Sequence, residues 1–276
     1  MFAQKFADLH VHTSFSDGSL TPEELVKKAG ELNISCISIT DHDIVDGICP
    51  AVIAAARYGI EIIPGIEFST QLHKTEVHLL AYFIDYQNLS FLTKLKELRE
   101  KRVYRFYNII KLLREHNVHL ETDKILQYGL GSLGRLHIAK ALVKEGYVYG
   151  IKEAFERYLG HGKCCYVPHE RFSVAAAIAM IKELGGLAVF AHPYVLHNDH
   201  LLVEMLNLGI DGIEAYYPEH RPQQTKQYVN FAKKHGLLIT GGSDYHGDGK
   251  EDSFFGKVKI DYCFVEKLRQ AKENAA

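Results

Sequence analysis

Short runs of apolar and β-branched residues alternate along this chain with longer stretches whose apolar positions recur every three or four places. "FADLHV" has strand character, while "TPEELVKKAGELN" has helical spacing. Thr21 as N-cap, Pro22 at the first helical position and Glu24 three residues past the cap predict a capping box. "CISIT" reads as a buried strand and "GICPAVIAAARYG" as a helix ending at Gly59. "IEIIPGIEFST" and "EVHLLAYFID" read as two strands joined by only a short polar link. After Asp85 the pattern becomes mostly helical, including "LKELREKRVYRFYNIIKLLREHN". The alternation then resumes with helix "SVAAAIAMIKELG", strand "GLAVFAH", helix "LLVEMLNLG", strand "IDGIEAYY", helix "QQTKQYVNFAKKHG" and strand "LLITGGS".

Seven β-like runs, mostly alternating with helices, predict an α/β fold whose parallel sheet closes, or nearly closes, into a TIM-like barrel. The pattern alone leaves open a closed barrel or an open sheet. The helical stretch would be an insertion between the fourth and fifth strands. The expected organisation is therefore a barrel from residues 1–87 and 168–276, with a mainly helical insertion domain, 88–167, that grips the substrate.

Composition narrows the classes. Hydrophobic residues at 47% and charged residues at 24% are ordinary globular usage. A formal net charge of −2 attracts neither nucleic acid nor a membrane globally, so no stable DNA partner is implied. No apolar run approaches a membrane span, and "MFAQKFADLH" lacks the form of a secretory leader. Five cysteines, odd in number and without CxxC spacing, point to reduced thiols and a cytoplasmic setting. The adjacent Cys164 and Cys165 are read as ordinary thiols rather than a redox pair. Sixteen histidines exceed what packing needs.

Their positions carry the chemistry. His10 and His12 end the first strand and, two residues apart, point the same way; Asp17 lies just beyond. His42 in "TDHD" follows the second strand, Glu67 lies near the end of the third, and His78 is on the fourth. His192 in "FAHP" ends the fifth, and Asp244 and His246 in "GGSDYHG" follow the seventh. In an α/β barrel the carboxyl ends of the strands share one mouth, so these six imidazoles and three carboxylates are expected to meet there. A set without thiolate suits Mn²⁺, Fe²⁺ or Zn²⁺ in a reactive site. His73, His116, His119, His161, His197 and His235 fall in polar loops or on charged helix faces and read as solvated surface.

The motifs "DLHVHTSFSDG", "ITDHD", "PGIEFS", "VHLLAYFID", "FAHP" and "GGSDYHG" resemble, in order and over most of the chain, those of the PHP (polymerase and histidinol phosphatase) family of metal-dependent phosphoesterases. The insertion, with "GRLHIAKALVKEGY" and "YLGHGKCCYVPHER", resembles the TrpH-like subgroup, which includes 3′,5′-nucleotide bisphosphate phosphatases and a 5′-3′ RNase. Two departures fall in the insertion: Leu136 replaces the proline of GRPH, and "GKCCYVP" replaces GKPxYVP. The resemblance implies a distorted (β/α)7 barrel holding three divalent metals. One would be held by His10, His12, Glu67 and Asp244, a second by Glu67, His78 and His192, and a third by Asp17, His42 and His246.

Three such cations against three carboxylates and a bridging hydroxide leave the cluster about two charges positive, which favours a phosphate ester. The expected reaction is in-line attack of that hydroxide on phosphorus, since coordination lowers the pKa of water from about 15.7 toward about 7. Asp41 and Asp43 are candidates for orienting ligands. Asp244 and His220 are the candidate catalytic residues, His220 by protonating the leaving group or binding phosphate. Arg99, Arg102 and Arg105 recur every third residue; Arg99, Arg102, Arg135, His137, Lys163 and His220 are the substrate-binding candidates. The expected substrate is a nucleotide bisphosphate or a short 5′-phosphorylated RNA. Competing expectations are a histidinol-phosphate phosphatase, an amidohydrolase (which would place a bridging lysine where Glu67 falls) and a non-catalytic PHP module.

Overall fold

In the computed structural model, residues 4–73, 75–128, 133–168, 172–196, 200–247 and 255–275 are described. His197 falls outside them. Among the described residues nine strands form one sheet: β1 (Phe6–Val11), β2 (Cys36–Ile39), β3 (Glu61–Leu72), β4 (Thr75–Tyr82), β5 (Phe172–Ser173), β6 (Leu187–Phe190), β7 (Gly212–Tyr216), β8 (Leu238–Gly241) and β9 (Ile260–Asp261). Their order is β8-β7-β6-β4-β3-β2-β1-β9, with β5 beside β3. Just past β8, Tyr245 bridges to Val11 at the end of β1, and its carbonyl accepts from the His12 N–H at 2.9 Å. The sheet is thereby drawn round into a nearly closed barrel.

The alternation predicts a parallel sheet, and the structure departs from it. β4 runs antiparallel to both β3 and β6. The link between Leu72 and Thr75 is too short for a crossover, which needs a dozen residues or more, so the chain can only turn back as a hairpin. The start of β4 therefore lies at the end of the barrel where its neighbours finish.

Helices α1 (Pro22–Glu31) and α2 (Ile48–Tyr58) pack on the sheet with α7 (Val174–Glu183) and α8 (His200–Asn207), burying Leu25, Ile48, Ile178 and Met205 against Ile37, Phe68 and Phe190. The Thr21–Glu24 capping box starts α1, and Gly59, in the left-handed region at φ 66°, stops α2. α9 (Pro222–His235) precedes β8. Alternate residues of β4 and β6 serve two cores, because side chains alternate across a strand. Leu79, Ala81 and Phe190 join the helices, while Leu80, Tyr82 and Val189 join Val265 and Leu268 of α10 (Cys263–Ala275).

The sequence reading missed β9 and α10. Both sit where the strands begin: Phe6 pairs with Asp261, Tyr262 donates to Glu61 at 2.5 Å, and Lys272 reaches the Gly185 carbonyl. That end is capped, and the opposite end is left as the mouth.

The stretch after β4 holds α3 (Leu89–Glu115), α4 (Thr122–Tyr128), α5 (Arg135–Lys144), α6 (Ile151–Ala154) and a π-helical turn, Phe155–Leu159. Phe91 and Leu95 at the start of α3 pack into the barrel. Phe106, Ile110 and Leu113 further along it form a separate apolar cluster with Ile138, Leu142 and Cys165. Among the described residues no helix is long and apolar enough to cross a membrane.

Closure depends on one close approach. A Cβ on Gly242 would stand 2.4 Å from both the backbone nitrogen and the Cβ of His10. Gly242→Ala is expected to cost ~1–3 kcal/mol, as overpacking does, read as a lower denaturant midpoint at unchanged slope.

Candidate metal centre

The nine side chains expected at the mouth do converge there. His12, His42, His192, Asp244 and His246 follow β1, β2, β6 and β8, and His10 sits at an irregularity in the β1–β2 register between Asp8 and Val11. His78 does not end its strand. It lies in the first half of β4, and the antiparallel run of that strand brings it to the mouth.

Glu67 is the centre of the group. Its Oε2 lies 3.3 Å from His10 Nε2, 3.2 Å from His12 Nε2 and 3.2 Å from His42 Nδ1. Its Oε1 lies 2.8 Å from His78 Nδ1 and 3.0 Å from His192 Nε2. Asp244 Oδ1 is 3.3 Å and 3.1 Å from the Nε2 atoms of His10 and His12, and 3.5 Å from His246 Nδ1. Asp17 Oδ1 is 3.3 Å from His246 Nε2.

Three overlapping groups have donor atoms within 4.8 Å of one another: His10, His12, Glu67 and Asp244; His42, Glu67 and His78; and His12, Asp17, His42 and His246. The donor set fits divalent cations on a separate ground. His10 Nε2, both ring nitrogens of His12, His42 Nδ1, Asp17 Oδ1 and Glu67 Oε2 are buried without a hydrogen-bond partner. Leaving such atoms unpaired costs ~1–3 kcal/mol each, which coordination would recover. Asp43, His192 and Asp244 also carry positive φ angles of 53°, 26° and 49°, the backbone strain expected where side-chain placement outranks local preference.

Titration follows the crowding. Burial disfavours charge on His12 and His78, but the neighbouring carboxylates outweigh it and push them up to about 9 and about 10. For Glu67, burial alone would raise the pKa, yet the surrounding imidazoles, His42 foremost, hold it well below the usual range. Burial brings His42 down to about 3.

Three residues that sequence reasoning missed stand behind this set. Glu214 is fully buried; its Oε1 takes the His10 Nδ1 hydrogen at 2.9 Å and its Oε2 takes the His192 N–H at 2.8 Å. The first bond places the proton on Nδ1 and leaves Nε2 as the donor atom. Tyr217 donates to Asp244 Oδ2 at 3.0 Å. Asp8 accepts from the N–H groups of Ser243 and His10, and burial pushes it up to about 7. The available signal was an acid set inside a buried strand, "IDGIEAYY" for Glu214 and "FADLHV" for Asp8. Asp41 and Asp43 play another part than expected. Asp41 accepts from Thr13 and Ser16, fixing the loop after His12, and Asp43 pairs with Arg102 and the Ser69 N–H.

A cavity of about 750 Å³ lies over the cluster, walled also by Leu136, Lys140, Lys152 and Tyr217. Beside it a cleft of about 180 Å³ joins His42 and His78 to Arg102, Arg105 and Arg135. The other substrate candidates scatter. Arg99 is half-exposed, lies 3.8 Å from Asp46 and lines neither space. His137 faces a third pocket with Asp17 and Lys140, its Nδ1 accepting from the Gly134 N–H at 3.2 Å. Lys163 is exposed and lines none of these pockets. His220 is enclosed by Tyr194, Tyr217 and Tyr228 and donates from Nδ1 to the Ala215 carbonyl at 2.9 Å. Burial lowers its pKa, so it rests neutral with no proton on Nε2, which disfavours the acid role expected for it.

The sequence model of the PHP domain matches residues 8–163. The chain is 33% identical over 250 residues to a 3′,5′-nucleoside bisphosphate phosphatase of Chromobacterium violaceum, covering 88% of each. It is 34% identical over 248 residues to the 5′-3′ exoribonuclease Rnm of Escherichia coli, covering 87% of this chain and 84% of that one. A solved structure from Bifidobacterium adolescentis, described as a metal-dependent phosphoesterase, superposes with a TM-score of 0.86 at 31% identity over 96% of each chain.

Glu214→Gln is expected to weaken metal binding by about 10–100-fold, the range for a residue that orients a ligand, measured by competition with a chromophoric chelator. Protons and cations compete at His12 and His78, whose raised values keep them protonated near neutrality. Loading the chelated protein at pH 7 should therefore release protons, detected as a calorimetric heat that varies with buffer ionisation enthalpy. Affinity should rise with pH through about 9. The chelated protein should itself lose stability from pH ~6.5 to ~10, because groups with raised folded values stabilise below their unfolded pKa and cease to above the folded one.

Proposed function

Because the chain belongs to the PHP domain family, we propose that it is a metal-dependent phosphoesterase of nucleotides that hydrolyses 3′,5′-nucleoside bisphosphates, the 5′ end of short RNA, or both. One observation carries the choice of substrate: the arginine-lined cleft opens beside the His/Asp/Glu cluster, which supports reading them as two neighbouring spaces for anionic groups. A substrate with one phosphate, such as histidinol phosphate, would leave the cleft unused.

In this reading the nine mouth residues would hold three divalent cations of the Mn, Fe or Zn type. Such cations supply positive charge for the phosphoryl oxygens and make water a stronger nucleophile near neutral pH. The protein's own groups do the positioning. Glu214 holds His10 by its Nδ1 hydrogen, and Tyr217 steadies Asp244. Asp43 orients Arg102, and Arg135 is set by Glu76 at 3.6 Å and the Leu159 carbonyl at 3.3 Å. Arg105, fixed by the Val167 carbonyl at 2.9 Å, completes a triad of planar donors suited to a second phosphate. Residues 88–167 supply these arginines as well as Leu136, Lys140 and Lys152 of the cavity wall, which supports reading them as the substrate-gripping part of a distorted (β/α)7 barrel enzyme.

The test compares the Mn²⁺-loaded protein on 3′-phosphoadenosine 5′-phosphate, 5′-phosphorylated RNA, histidinol phosphate and p-nitrophenyl phosphate. Arg135→Ala should reduce kcat/KM for the bisphosphate by roughly 10–150-fold, from the ~1.5–3 kcal/mol of a charge-assisted hydrogen bond, while p-nitrophenyl phosphate turnover changes little. Equal losses on both substrates, or hydrolysis of histidinol phosphate alone, would overturn the substrate assignment.

A further inference from the structure

Away from the mouth, three side chains that the proposed reaction does not use come together. His116 caps the carboxyl end of α3, and nearly fifty residues later Cys164 and Cys165 bring their sulfurs beside it. Their donor atoms all lie within 4.8 Å of one another, and the sulfurs are 3.7 Å apart. Sequence reading had placed His116 on the solvated surface and the cysteines among ordinary thiols.

We propose that His116, Cys164 and Cys165 form a second, thiolate-containing metal site that takes a thiophilic divalent cation of the zinc type. Two metal–sulfur bonds of about 2.3 Å at a tetrahedral angle span about 3.8 Å between sulfurs, close to the separation present. Two thiolates and one imidazole are a zinc donor set with a fourth position left for water. The mouth donors include no sulfur, so the two sites differ in the softness of their ligands.

The surroundings are ordered for this. Cys165 is fully buried in the apolar cluster of the helical stretch, and its N–H donates to the Tyr158 carbonyl at 3.1 Å. The turn carrying the pair is closed by Lys163 N–H to the Gly160 carbonyl at 3.1 Å and Tyr166 N–H to the Lys163 carbonyl at 3.0 Å. Cys164 and His116 are exposed, so a cation reaches the site from solvent while Cys165 anchors it from within. Burial pushes the Cys165 thiol up to about 12, with Cys164 and Glu115 adding to the effect. The Cys165 thiol is thus held in its protonated form, and a divalent cation binding through its sulfur would displace that proton to solvent.

Cobalt separates this site from the mouth, because only a thiolate ligand gives intense near-ultraviolet sulfur-to-cobalt charge transfer. Fully reduced, Mn²⁺-loaded protein titrated with Co²⁺ should develop that band to a limiting intensity of one thiolate-bound cobalt per chain, whatever cobalt also enters the mouth, and Zn²⁺ should abolish it. Cys164→Ser, an exposed change, should eliminate it. His116→Ala should weaken cobalt affinity at the band by an order of magnitude or more, and both variants should keep wild-type phosphoester turnover. No band in the reduced wild type, or a band whose affinity is indifferent to His116→Ala, overturns the proposal.

Discussion

Everything at the mouth is arranged around one buried carboxylate. Glu67 is almost fully enclosed, and five imidazoles approach its two oxygens. An isolated carboxylate there would pay heavily for leaving water, so the cluster persists only if positive charge is brought to it. Protons on His12 and His78 can supply part of that charge; divalent cations in the proposed sites would supply more. The fold has to deliver the imidazoles from β1, the loop after β2, β4 and the loop after β6 to one point, and a nearly closed sheet is the architecture that does so.

That demand explains the departures from ordinary local structure. The β1 register slips around His10, the hairpin reverses β4, and His192 and Asp244 accept positive φ. Gly242 is bare because a side chain there would meet His10. At the opposite end, α10 and β9 close the barrel, which leaves the mouth as its open end among the described residues. Strain is gathered where the proposed chemistry is, and regular packing carries the rest.

In the proposed function, specificity would rest on a second layer of contacts. Arg102 and Arg135 come from a stretch whose own apolar cluster is separate from the barrel's, yet Asp43 and Glu76 of the barrel hold them over the site. The expected every-third arginine series divides in consequence. Arg102 and Arg105 face the cleft, whereas Arg99 turns toward Asp46.

The sequence by itself determined the helices with strong caps, the β/α alternation, and the nine mouth residues, because each of those signals is local: a capping box, a spacing, a polar residue where an apolar run ends. It could not determine the direction of β4, the end-cap by β9 and α10, the role of Glu214, or the meeting of His116 with the cysteine pair. Those depend on which strands pair and which distant side chains share a buried space, and burial and charge proximity exist only once the chain has closed on itself. His220 shows the same limit from the other side: its position in the sequence suited proton donation or phosphate binding, and the three tyrosine rings and one carbonyl that surround it appear only in the fold.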